Sequence, residues 1–180
     1  MSFLQGFLAR FRPGNFLIDP KFAANRIRYI AQCCFVGAVM LVVLLMLDAF
    51  YQTVFIAALG ASSVVAFVTP TLRASRPRCL IGGYLVGILV GCAVSTLVLA
   101  ISNLVLLDER TVRIVLGAAA VGLAMFIMVT TGTEHPPGAA VALGFVLNEW
   151  DFSTIAIVLA GITSISVIKE LVRDQLMDLL

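Results

Sequence analysis

The chain has 180 residues, of which 61% are hydrophobic and 12% charged, with a mean hydropathy of +1.09 and a formal net charge of +2. A soluble domain of this length could not cover so much apolar surface with so little charge, which leaves an integral membrane protein with one compact membrane domain and no nucleic-acid partner. Cys33, Cys34, Cys79 and Cys92 lack the spacing of a zinc site or a disulfide scaffold and read as small membrane-core residues, so no metal, cofactor or catalytic residue is expected.

The first 25 residues carry Phe3, Leu4, Phe7, Leu8 and Phe11 with Arg10 and Arg12, closed by Pro13-Gly14. They lack the long apolar core of a signal peptide and are expected to form an amphipathic interfacial segment; a frayed tail fits the pattern equally well. Apolar runs follow at 27–47, 51–68, 80–101, 112–129, 138–147 and 152–168. A bilayer core of roughly 30 Å needs about 20 helical residues, so four runs are near spanning length, the second is marginal and the fifth is too short alone. Before the fifth stands Thr130-Thr131-Gly132-Thr133-Glu134-His135-Pro136-Pro137-Gly138, a polar break with two prolines and the chain's one histidine. An extended 130–137, at roughly 3.3 Å per residue, would cover the half-membrane that a helical 138–147 leaves open. The expected fold is therefore an all-α membrane protein, with four long transmembrane helices and two interrupted half-helix crossings over 26–169, followed by a cytoplasmic tail at 170–180.

The charges orient these crossings. Arg10, Arg12, Lys21, Arg26 and Arg28 precede the first run, Arg73, Arg76 and Arg78 follow the second, and Lys169 and Arg173 follow the last. Six crossings place all of them on the cytoplasmic side, with both termini inside a bacterial inner membrane. Asp48, the Asp108-Glu109-Arg110 loop with Arg113, and Glu149 with Asp151 then face outward.

Residues 60–68 lie over 138–146 without a gap, and at the same offset Gly83 falls on Gly161 and Thr53 on Thr131. Repeats at about 26–101 and 104–169, each with an odd number of crossings, would have opposite orientation, the inverted-repeat plan of many transporters. Two Gly-Ala half-helices entering from opposite sides could bring their N-termini together, where unpaired N–H groups favour an anion. The alternative is that these small residues only permit close helix packing.

The candidate pore residues are Gly60, Ala61, Ser62 and Ser63 from one half and Thr131, Thr133, Glu134, His135, Pro136, Pro137, Gly138 and Ala139 from the other. Ser62 and Ser63 offer hydroxyl donors, and Pro137 suits a first helical turn. His135 could donate to an anion, gate the path by protonation, or cap backbone. Glu134, adjacent in an extended segment, should point away from His135, as a mouth residue, a partner for Arg76 or Arg78, or a proton carrier.

Glu134-His135-Pro136-Pro137-Gly138-Ala139 resembles the signature of the HPP family of integral membrane proteins, and Gly60-Ala61-Ser62-Ser63 with Pro70, Arg76-Pro77-Arg78 and Ile81-Gly82-Gly83 resembles its second conserved region. The family is usually described with four transmembrane helices. It commonly has Ala-Gly-Ala and a polar residue after the prolines, and Gln where Arg76 stands here. Because some plant and cyanobacterial relatives are associated with nitrite transport, the resemblance implies a transporter or channel for a small inorganic anion, nitrite first. So few elements suggest a homo-oligomer. The rival readings are a membrane enzyme using His135 and Glu134 as acid and base, and a non-transporting membrane scaffold.

Overall fold

The computed structural model describes residues 20–47, 53–102 and 108–179, so most of the expected interfacial segment, Asp48 and the centre of the loop after 102 lie outside the described residues. Within them the protein is all-helical. The helices are α1 Pro20–Leu47, α2 Thr53–Val68, α3 Pro77–Ser102, α4 Glu109–Thr131, α5 Pro136–Leu147 and α6 Phe152–Val172, with short 3-10 turns at Arg73–Ser75 and Arg173–Gln175. Pro77–Ile101, Glu109–Thr131 and Phe152–Gln175 are each long and apolar enough to cross a membrane, while α2 and α5 are shorter apolar helices. In α1, 28 residues long, Asn25 leaves helical geometry (φ −129°, ψ 32°), and that break coincides with the expected start of the membrane domain.

The helix ends follow from local chemistry. Pro77 and Pro136 each open a helix, at the position where a missing N–H costs nothing. Asp108 accepts from the Thr111 N–H, and Asp151 forms a reciprocal capping box with Thr154. Hydrogen bonds from the Thr111 hydroxyl and N–H hold the Asp108 carboxyl below the usual carboxylate range, and the Thr154 N–H and hydroxyl do the same for Asp151. Both caps therefore act fully above that range and are lost as pH falls through the lowered values. At the other end of α4, Gly132 takes a left-handed φ of 66°, which a side chain rarely adopts, and its N–H bonds the Met128 carbonyl.

The polar break is shorter than its sequence suggests. Only residues 132–135 leave the helix. Thr130 and Thr131 stay in α4 because their hydroxyls bond back to the Phe126 and Ile127 carbonyls at 3.1 and 2.7 Å. Pro136 and Pro137 already belong to α5. That helix has 12 residues, about 18 Å at 1.5 Å each, well short of a bilayer core.

Helix α5 packs against α2, α3 and α4, while α6 packs against α1, α2 and α3. Apolar burial gives little drive between helices already in lipid, so close packing and interhelical hydrogen bonds must hold them. The tightest seam is between α3 and α5. Gly83, Gly87 and Gly91 recur every fourth residue on α3, and a Cβ at Gly87 would stand 2.1 Å from the Gly138 carbonyl oxygen. A Cβ at Gly83 would meet the His135 Cβ at 2.6 Å, and one at Gly91 the Phe145 Cβ at 2.7 Å. Around this seam lie one core with Phe67, Leu80, Tyr84, Phe145 and Ile162, and a second with Val98, Ala124, Met128, Ala142 and Val146.

Helices α2 and α5 run antiparallel: Phe55 meets Phe145 with ring centroids 4.8 Å apart, while seven residues further along α2 Ser62 meets His135. The expectation that two half-helix N-termini converge is corrected accordingly. Helix α2 does not break at Gly60, and its N-terminus lies beside the C-terminal part of α5. One internal glycine costs a helix only about 1 kcal/mol relative to alanine, too little to open backbone that lipid cannot hydrate.

The segment expected as a tail is partly ordered onto the fold. Residues 170–172 finish α6. Beyond it the Gln32 amide donates to the Phe67 and Met177 carbonyls at 2.6 and 2.8 Å, Leu179 N–H donates to the Val68 carbonyl at 2.9 Å, and Asp178 accepts from Thr71 N–H and hydroxyl.

The orientation expected from the charges has a direct test. Ser75 is fully buried, with its hydroxyl on the Pro70 and Leu72 carbonyls, so a thiol there would resist any reagent. Exposed Leu72 and Glu149 are better reporters. In a background lacking the four native cysteines, Leu72→Cys should resist an impermeant maleimide applied outside intact cells and Glu149→Cys should react. Outside labelling of Leu72→Cys would overturn the expected orientation.

Candidate functional site

The site gathers where the start of α5 meets the middle of α2 and the first turns of α3. His135 precedes Pro136 and is extended (φ −146°, ψ 98°), as a residue before proline must be. That geometry turns its ring inward, and the residue is fully buried. Its Nε2 lies 2.8 Å from the Ser62 Oγ and its Nδ1 3.1 Å from the Ala74 carbonyl oxygen. Ser62 Oγ is also 2.9 Å from the Tyr84 hydroxyl, and Ser62 and Tyr84 are both fully buried.

The donors can be assigned from what each atom can do. A carbonyl only accepts, so Nδ1 carries a hydrogen. In the neutral imidazole Nε2 then accepts from Ser62, and Ser62 accepts from Tyr84. The result is one directed chain, Tyr84 to Ser62 to His135 to the Ala74 carbonyl, with every hydroxyl and ring nitrogen partnered. The Ala58 carbonyl, 2.9 Å from Ser62 Oγ, is an alternative acceptor within the same helix. A satisfied chain of this kind rigidifies a core that a half-satisfied one would weaken. It ties α2, α3, the arginine-bearing turn and α5 at one point.

Sequence reasoning singled out Ser62 and His135 separately, 73 residues apart, and the structure brings them into contact. Tyr84 was missed; it sits in an apolar run where one aromatic residue is unremarkable. The Ala74 carbonyl has no side-chain signal at all. The other candidates are distributed around this chain. Ser63 is buried but donates to the Leu59 carbonyl at 3.0 Å, back into α2. Ala61 is exposed and Gly60 half-buried, with open space where a Cβ would stand. Pro137, Gly138 and Ala139 are buried in helix packing, and a Cβ at Gly138 would lie 2.6 Å from the Gly83 backbone. Pro136 is exposed.

The break itself is covered by cations. Thr131 and Thr133 hydroxyls pair at 2.9 Å, and the methyl of Thr133 fills the space above Gly82. Arg78 donates to the Thr131 carbonyl at 2.8 Å, a cation placed on the negative end of α4. Glu134 turns away from His135, and its carboxylate pairs with Arg73 at 3.4 Å. Its partner is thus Arg73, the first of the three arginines, not Arg76 or Arg78. The C-terminal end of α5 is finished in the same way, by Arg113, which donates to the Val146 carbonyl at 2.8 Å and pairs with Glu109.

Apolar helices of spanning length around a buried polar chain define an integral membrane protein, in contact with the lipid bilayer. More particularly, the chain belongs to the HPP family: the description "HPP, transmembrane region" matches residues 22–175, which include every residue of the chain just described. No curated protein and no solved structure matched it.

Proposed function

We propose that the protein is a transporter or channel for a small anion, with nitrite the first candidate, working as a homo-oligomer in a bacterial inner membrane with both termini cytoplasmic. The observation that carries this reading is the Tyr84–Ser62–His135 chain. Polar groups buried within transmembrane helices are costly, and an ionisable one such as His135 is by default a candidate for an ion or substrate path. The helix packing supports an inverted repeat: exchanging α1, α2 and α3 with α4, α5 and α6 turns every packed helix pair into another packed pair. In such a fold one half rocks against the other around a central site, and α2 against α5 is the central pair. The chain is closed in this arrangement, since both ring nitrogens of His135 are held by protein. Conduction requires α5 to move from α2 and the freed Nε2 to take up a proton, so that the imidazolium can donate to the anion.

A second reading is favoured by one contact. Ser62 and His135 at 2.8 Å, with the ring oriented by the Ala74 carbonyl, have the geometry of a nucleophile and its base. The earlier pairing of His135 with Glu134 is replaced in that reading, because Glu134 faces Arg73. Against it, all three side chains of the chain are closed to water.

Purified protein in liposomes, given nitrite, nitrate, formate, chloride and sulfate in turn, separates the readings. Transport predicts selective flux of at least one anion above empty liposomes. Labelling of Ser62 by a fluorophosphonate, without flux, would replace it with the enzyme reading. Absence of both would leave a scaffold.

A further inference from the structure

Beside the polar chain, a cleft of about 690 Å³ opens between residues 70–71 and 76–78, which flank the Arg73–Ser75 turn, and the end of α6. Its charged walls are Arg76, Arg78, Lys169, Glu170, Arg173 and Asp174, four cations against two carboxylates. The pairing inside it is uneven. Glu170 is committed to Lys169 at 2.7 Å and, more loosely, to Arg173 at 3.8 Å. Arg78 spends one nitrogen on the Thr131 carbonyl. Among the described residues the Arg76 guanidinium has no ion-pair or hydrogen-bond partner. Lys169, by contrast, is a cation whose side chain is only 4% exposed, although it lines this cleft.

Position gives the cleft its meaning. Helix α3 begins and α6 ends here, and both are long and apolar enough to span. The cleft therefore stands where a spanning helix meets water, at the depth of lipid headgroups. Basic pockets between transmembrane helices at that depth suit phosphate-bearing headgroups. Arginine forks match phosphate oxygens two at a time, and lysine adds a compact point charge. The first turn of α3 carries no acidic residue to compete.

We propose that this cleft binds a phosphate group, with the Arg76 and Arg173 guanidiniums on its oxygens and the Lys169 amine beneath, supplied by an anionic phospholipid headgroup or by a soluble phosphate ester. The site stands whether or not the protein moves anions.

The test uses full-length protein washed free of lipid in a neutral detergent, with thermal melting followed during titration with short-chain phosphatidylglycerol, short-chain phosphatidylcholine or glycerol phosphate. Phosphatidylglycerol should raise the melting temperature saturably. Arg76→Gln and Arg173→Gln should each shift half-saturation upward roughly fivefold, the worth of one basic residue at such a surface, while Arg110→Gln at the far end of α4 leaves it unchanged. The same pattern with glycerol phosphate instead would keep the site and assign it a soluble ligand. If neither compound acts beyond phosphatidylcholine, or if both cleft variants respond as wild type, the proposal is overturned. Arg76 and Arg173 are exposed, so both variants should fold.

Discussion

Gly87→Val should abolish accumulation of folded protein, the largest effect expected of any single substitution here. A Cβ at position 87 would stand 2.1 Å from the Gly138 carbonyl oxygen and 3.1 Å from its carbonyl carbon, where the obstacle is backbone that cannot swing aside. Overpacking against movable side chains already costs about 1–3 kcal/mol. Separating α3 from α5 would also forfeit the close packing along the whole Gly83, Gly87, Gly91 seam, a main source of helix association in lipid. The contrast is Gly60→Ala. Open space surrounds that Cβ position, so the change should be neutral or stabilise α2 by roughly 0.5–1 kcal/mol through helix propensity. Thermal melting by size-exclusion chromatography in detergent distinguishes the two. Equal loss in both variants would mean that α2 at Gly60 is also pressed against a neighbour, as a pore built from paired glycine turns requires.

The difference between these two glycines shows where sequence reasoning reached and where it stopped. Composition and apolar runs gave the membrane class, and Pro137 was expected in a first helical turn, where it stands beside Pro136; Pro77, the Asp151-to-Thr154 capping box and Gly132 are local signals of the same kind that went unread, each acting at a helix end. Gly60 and Gly138 look alike in sequence, each followed by alanine. Their roles diverge because glycine permits close approach without causing it; whether a neighbour arrives depends on helices distant in the chain. The four-residue spacing of Gly83, Gly87 and Gly91 went unread, and it would not by itself have named its partner. The polar break was read as too long because threonine looks like a loop former, whereas in an apolar setting its hydroxyl returns to its own helix. Tyr84 and the Ala74 carbonyl were beyond reach for a plainer reason. Hydrogen bonds across 22 or more residues leave no period to detect.

The second large effect should come from His135. His135→Ala would empty a fully buried volume and take from the Ala74 carbonyl its side-chain donor, while the Ser62 hydroxyl keeps Tyr84 and can turn to the Ala58 carbonyl. Loss of a large buried side chain costs about 3–5 kcal/mol when aromatic, and an orphaned polar group adds roughly 1–3 kcal/mol; the variant should melt far below wild type. His135→Phe separates these contributions by restoring volume without the ring nitrogens. Combined with Ser62→Ala it closes a double-mutant cycle, and the coupling should be about 1 kcal/mol, the net worth of one buried hydrogen bond. His135→Gln, with one donor for the Ala74 carbonyl and one acceptor for Ser62, should recover part of the loss. Flux then decides what the chain is for. If His135 is released from Ser62 during transport, His135→Phe should lower anion flux at least about tenfold, as expected for a lost charge-assisted donor, even at temperatures where it remains folded, while Ser62→Ala, which frees Nε2, should retain it. Wild-type flux from folded His135→Phe would confine the histidine to tying α2 to α5, and recognition of the anion would have to lie elsewhere in the fold.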